Sequence, residues 1–193
     1  MTGDPYVDPQ TGVLRNRLGI ADADELTGVE SDLTVVQMVE LGRRPLPGRY
    51  NLPHLQEFHR FLFGDIYDWA GELRTVTIAK ADLFCLPENI ASFSHGAFRA
   101  LARDDFLRCR ERAEFVEGLA GHLANVNAVH PFREGNGRTQ RAFFGQLAGD
   151  AGYRIDWSTM DRETNLAASQ ASIRGDDAPL RAMLDQLVDR PDH

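Results

Sequence analysis

One arrangement limits this chain more than any other: a long apolar helical pattern that runs into a proline, crosses a glycine-rich bend and restarts. Residues 112–129 carry Phe115, Val116, Leu119, Ala120, Leu123, Val126 and Ala128. Apolar groups cover more than one stripe, so this segment reads as a central, largely buried helix. His130-Pro131 ends it, because proline lacks the backbone donor and restricts the residue before it. A second helical pattern begins near Gly137 or Arg138 and runs to about residue 152, with Phe143, Phe144 and Leu147 facing inward.

The bend between them is His130-Pro131-Phe132-Arg133-Glu134-Gly135-Asn136-Gly137-Arg138-Thr139-Gln140-Arg141. Gly135 and Gly137 bracket Asn136 and let the backbone reach positive φ. A glycine-rich loop that feeds a helix start makes an anion site, with outward N–H groups and a favourable dipole. Arg138 and Arg141, three apart, share a helix face on which both could grip phosphate oxygens. Glu134 repels phosphate but suits Mg²⁺, which takes one or two carboxylates plus phosphate oxygens. His130 suits a general base near neutral pH. Taken singly, these residues read otherwise. The histidine would be a helix cap, the arginines a solvated face and the glutamate an acidic residue at a helix start. Their company favours chemistry.

The spacing HPFx[D/E]GN[G/K]RxxR resembles the signature of Fic-domain proteins, matched here at every defined position. The resemblance implies a protein adenylyltransferase, which moves AMP from ATP to a hydroxyl of a target protein. It implies His130 as the base that deprotonates that hydroxyl and Glu134 as the Mg²⁺ ligand. The backbone of Gly135, Asn136 and Gly137 would form the anion hole. Arg138 would contact the phosphates, Arg141 the γ-phosphate, and Phe132 would anchor the loop in the core.

Residues 71–80 change register to an alternating, β-branched pattern and form the one convincing strand. It is expected to fold back through Ala81-Asp82 to Phe84-Cys85, giving a hairpin over 71–86. In the Fic resemblance this hairpin is a flap. Thr75, Val76, Thr77 and Ile78 would dock the target by strand addition, with Lys80 and Ala81 close to nucleotide.

The rest reads as helix. Leu26, Val29, Leu33, Val36 and Leu41 form an apolar face over 22–42, and Asn51 caps a helix with Leu55, Phe58, Leu62 and Phe63. His54 and His59 on that helix read as surface or packing histidines. Further helices carry Ile90, Phe93, Phe98 and Leu101, then Leu166, Ala168 and Ile173, then Leu180, Met183 and Leu187. Residues 1–13 form an extended arm tacked down by Tyr6, Val7, Val13 and Leu14. The expected architecture is all-α: one Fic-like helical bundle over 1–193 with one β-hairpin flap.

A net charge of −8 without a basic stripe argues against a nucleic-acid partner. No apolar run spans a membrane and no signal pattern opens the chain. Cys85 and Cys109 offer no disulfide scaffold, so the cytoplasm is the expected compartment. Many Fic proteins carry an inhibitory [S/T]xxxE[G/N] helix. Glu88-Asn89 has Phe84 four residues earlier, Glu117-Gly118 has Ala113, and Glu134 is the metal position, so none fits. Either the domain is unrestrained or, the favoured expectation, a small helical antitoxin carrying that sequence holds it off, which would make this chain the toxin of a pair. The alternatives are transfer of another phosphate-containing group and a catalytically silent nucleotide-binding module.

Overall fold

The computed structural model describes residues 3–79 and 84–190. Helices α1 (Ala23–Arg43), α2 (Leu52–Phe63), α3 (Ile90–Arg103), α4 (Arg112–Val129), α5 (Asn136–Asp150), α6 (Arg162–Ile173) and α7 (Ala178–Leu187) make an all-α bundle. Their starts follow from local chemistry. Asp22 accepts the Glu25 N–H at 2.8 Å, Asn51 the His54 N–H at 3.0 Å and Asp161 the Thr164 N–H at 2.7 Å. Each satisfies a backbone donor that the first turn leaves open.

The core is aromatic. Phe58, Phe63, Phe115, Phe143 and Phe144 are fully buried. Phe143 meets Phe58, Tyr50 and Phe98 edge-on at 5.3–5.7 Å between centroids, geometry that adds to the area term. Helix α4 runs through this core, and α5 packs on α2 and α4, so the bend between α4 and α5 is held on both sides.

Two expectations need correction. Residues 72–78 form no ladder strand, and Ala79 makes only an isolated bridge. The backbone on this stretch is claimed elsewhere: the Arg74 N–H goes to the Pro131 carbonyl at 2.9 Å, and the Thr75 N–H to the Tyr6 hydroxyl at 3.1 Å. The turn at Ala81-Asp82 lies outside the described residues. The described two-stranded sheet is instead β1 (Arg154–Ile155) paired antiparallel with β2 (Val188–Asp189), two strands too short for any alternation to announce.

The inward stripe of α1 is Leu26, Glu30, Thr34 and Leu41, while Val36 is 64% exposed. Of the expected stripe, Leu26 and Leu41 are buried and Val29 and Leu33 half-buried, and the inward side also carries Glu30, which pairs with Arg138. Of the two readings of His54 and His59, packing holds: both are buried and hydrogen-bonded.

The N-terminal arm is ordered as expected. Val7 bridges Leu14, and Tyr6 and Val13 are buried. Tyr6 packs edge-on against Trp69 at 5.3 Å, which ties the arm to the base of the flap.

Candidate active site

Helix α4 ends by placing His130 in a left-handed conformation, φ 47° and ψ 62°. That is costly for a side chain with a Cβ, and it persists because its surroundings fix it. The His130 N–H donates to the Val126 carbonyl at 3.2 Å, and its carbonyl accepts the Arg74 Nε–H at 2.8 Å. Its imidazole stacks on Phe84 with centroids 3.8 Å apart.

Arg74 was missed by sequence reasoning, where it counted only as one step of an alternation. It is 2% exposed, and its guanidinium donates to the carbonyls of His130, Val129, Val76 and Cys85. A buried arginine satisfied entirely by carbonyls is a structural knot, and this one ties the flap to the bend between α4 and α5. Burial pushes its pKa down.

The bend itself is a closed unit. Asn136 accepts the Phe132 N–H at 2.9 Å and returns its own amide to the Phe132 carbonyl at 2.8 Å. Its side chain is therefore a clamp, not a phosphate ligand. Helix α5 starts at Asn136, with Gly135 (φ 77°) as its N-cap. A Cβ on Gly135 would sit 2.4 Å from the Phe63 ring, so both space and conformation demand glycine. The first backbone bond back to the cap runs from the Thr139 N–H to the Gly135 carbonyl at 3.0 Å. The Gly135 N–H, expected in the anion hole, is taken by the Glu134 carboxylate, whereas the N–H groups of Asn136, Gly137 and Arg138 precede the first helical bond and have no acceptor within the helix, an arrangement that suits an anion.

The two arginines do not converge. Arg141 lines an enclosed cleft with His130, Gly137, Gln140, Trp157 and Asn165. Burial, reinforced by the Arg138 charge, pushes its pKa down, and among the described residues no carboxylate offsets this. Arg138 turns to α1 instead. It pairs with the buried Glu30, lies over the Phe63 ring at 4.9 Å and reaches Glu134 at 3.7 Å. Tyr67 donates its hydroxyl to the other Glu30 oxygen, and burial with that bond raises the phenol pKa. The expected phosphate contact from Arg138 is thus not where its guanidinium lies.

Glu134 is half-exposed and accepts the Gly135 N–H at 2.9 Å through Oε1. No group of three His, Cys, Asp or Glu side chains among the described residues would cage a metal. One carboxylate beside a phosphate cradle fits Mg²⁺, which leaves its other positions to phosphate oxygens and water. Glu134 also lines an outward groove with Thr77, Ile78, Ala79, Phe84, His130 and Gly137. His130 and Gly137 therefore stand in the wall between the enclosed cleft and this groove. Of the expected flap contacts, Thr77 and Ile78 reach the groove, Thr75 is held by Tyr6, and Lys80 and Ala81 lie outside the described residues.

Residues 49–148 match the Fic/DOC family. This chain belongs to the Fic/DOC family. It is 41% identical over 184 residues to the Bartonella schoenbuchensis protein named protein adenylyltransferase VbhT, covering 95% of this chain and 38% of that protein. The chain thus spans about two fifths of that relative's length. It is 37% identical over 186 residues to an Escherichia coli K12 protein named "Probable protein adenylyltransferase Fic", covering 96% and 92%. A Bartonella tribocorum BepC structure with bound AMPPNP superposes with a TM-score of 0.89 at 24% identity, covering 97% of both chains. An N-terminal Fic domain from Bartonella quintana with bound ADP gives 0.89 at 26% identity, covering 96% and 94%.

Proposed function

We propose that this Fic chain is a protein adenylyltransferase, moving AMP from ATP to a Tyr, Ser or Thr hydroxyl of a target protein and releasing diphosphate. One observation carries the reading: His130 and Gly137 line both the enclosed cleft and the groove under the flap. A nucleotide in the cleft and a hydroxyl in the groove would then meet at the imidazole.

In this reading the triphosphate lies along the start of α5, with the Arg141 guanidinium toward the γ-phosphate. Glu134 holds Mg²⁺, which supplies charge neutralisation on the phosphates when bound. His130 takes the proton of the incoming hydroxyl, whose oxygen attacks the α-phosphorus as diphosphate leaves. Thr77 and Ile78 position the target segment. Lys80 and Ala81 are the further nucleotide contacts that this reading proposes.

Regulation in trans belongs to the same reading. Arg141 is a half-buried cation without a described counter-charge, so a small helical antitoxin presenting the glutamate of [S/T]xxxE[G/N] would pair with it and block the γ-phosphate position. Two unpaired cysteines suit a reducing, cytoplasmic setting.

Labelling of a cell lysate with α-³²P-ATP or γ-³²P-ATP tests the activity. Protein labelled from the α position alone is the expected outcome, and His130→Ala abolishes it while ATP still binds. Labelling only from the γ position, or none from either, overturns the reading.

A further inference from the structure

We infer that His59 is a positioning residue: its imidazole is the strut that fixes the base of the flap and the metal-bearing turn of the active-site loop at one separation. It lies on α2, fully buried, and is not part of the loop. Both ring nitrogens have partners whose roles admit no choice. The Gly71 N–H can only donate, and it reaches Nδ1 at 2.8 Å. The Glu134 carbonyl can only accept, and it lies 3.0 Å from Nε2. The ring is therefore neutral and protonated on Nε2. Its face stacks on Phe132 with centroids 4.0 Å apart, and on its other neighbours it meets Phe63 at 4.8 Å.

Each end of the strut falls where backbone placement matters. Gly71 has φ 83° and is the pivot from α2's trailing turns into the flap; a Cβ there would press Arg60 and the Gln56 carbonyl at about 3 Å. Glu134 immediately precedes the left-handed Gly135 that starts the anion site. Fixing the Glu134 carbonyl fixes the direction in which its carboxylate leaves the chain and the pitch at which α5 begins. Fixing Gly71 sets the height at which Thr77 and Ile78 overhang His130. No other side chain among the described residues bonds to both the flap base and this turn.

The two bonds separate by substitution. In His59→Asn the Oδ1 oxygen falls near the Nδ1 position and still accepts from Gly71, while Glu134 loses its donor. In His59→Gln an Nε2 amide falls near the ring Nε2 and still donates to Glu134, while Gly71 loses its acceptor. Hydrogen–deuterium exchange of the full chain reads the result without any turnover. For His59→Asn, amides of 133–138 exchange roughly three- to tenfold faster while 71–79 stay as in wild type, the range set by one lost hydrogen bond. For His59→Gln the pattern reverses. The consequence for ATP rests on the adenylyltransferase reading: calorimetry gives His59→Asn about tenfold weaker affinity and His59→Gln about wild-type affinity. ¹⁵N NMR of the wild-type histidines places a proton on Nε2 alone at neutral pH.

Uniformly faster exchange in both variants means His59 only supports global stability, and overturns the proposal. So does a proton on Nδ1 in the wild-type spectrum, which remains decisive if neither variant folds. Should ATP fail to bind the wild type, the adenylyltransferase reading falls while the exchange pattern still judges the strut.

Discussion

Arg74 holds His130 by its backbone: the arginine Nε–H meets the His130 carbonyl at 2.8 Å, while the same guanidinium reaches the carbonyls of Val129, Val76 and Cys85. The left-handed turn that presents the imidazole is thus maintained from the flap side. Arg74→Met leaves these acceptors unsatisfied in a buried space and is expected to cost about 3 kcal/mol or more in urea unfolding. Arg74→Lys will not rescue it, because one ammonium cannot reproduce the fork that spans four carbonyls. Labelling per folded molecule should fall in both variants.

The buried Glu30 pairs with the partly exposed Arg138 and also takes the Tyr67 hydroxyl. Glu30→Ala leaves Arg138 with Glu134 at 3.7 Å and some solvent, so the loss should be about 1–3 kcal/mol, from the unmet buried partners of the lost carboxylate. Replacing both, as Glu30→Met with Arg138→Met, should recover most of that loss, since isosteric apolar groups pack where the ions were. Denaturant midpoints for the two singles and the double check this directly. A double mutant no more stable than Glu30→Ala would show that the pair is not an isolated unit.

These two arginines mark where sequence reading stops. The central bend was legible because its residue types are a poor fit to any core and their spacing is dense. The start of α2 was legible from Asn51, whose cap is local. Arg74 was not, because its four acceptors come from three separate chain segments. Glu30 was hidden for the same reason, and its placement on the inward side of α1 turned Val36 out to solvent. His59 looked like a packing residue because the partners that define its tautomer lie 12 and 75 residues away. Local chemistry announces itself in sequence; satisfaction of buried polar groups across long separations does not.

Arg141 lines the enclosed cleft without a described carboxylate partner. A half-buried cation of this kind gains most from the ligand carrying the most phosphate charge at its position. Arg141→Ala should weaken ATP binding by about 10- to 100-fold, the loss of a charge-assisted bidentate contact, and leave AMP affinity within about twofold. Titration calorimetry with ATP, ADP and AMP separates this from a general collapse of the cleft, which would weaken all three alike.

His59 also makes stability depend on pH in a defined window. Burial lowers its pKa to about 4, with the Arg138 and Arg60 charges acting in the same direction against the bond to Glu134. The unfolded chain therefore binds a proton that the folded chain refuses between the ordinary histidine value near 6.5 and about 4. Stability from this group is complete above about pH 6.5 and is lost as pH falls toward the folded value. The full shift corresponds to about 3 kcal/mol at neutral pH. Unfolding free energies measured from pH 7.5 to 4.5 should fall accordingly, and His59→Gln, which cannot take up the proton, should flatten that part of the curve. His54 is also lowered by burial and contributes a residual slope in the same direction. A variant whose slope matches wild type across this window would show that the acid sensitivity resides elsewhere.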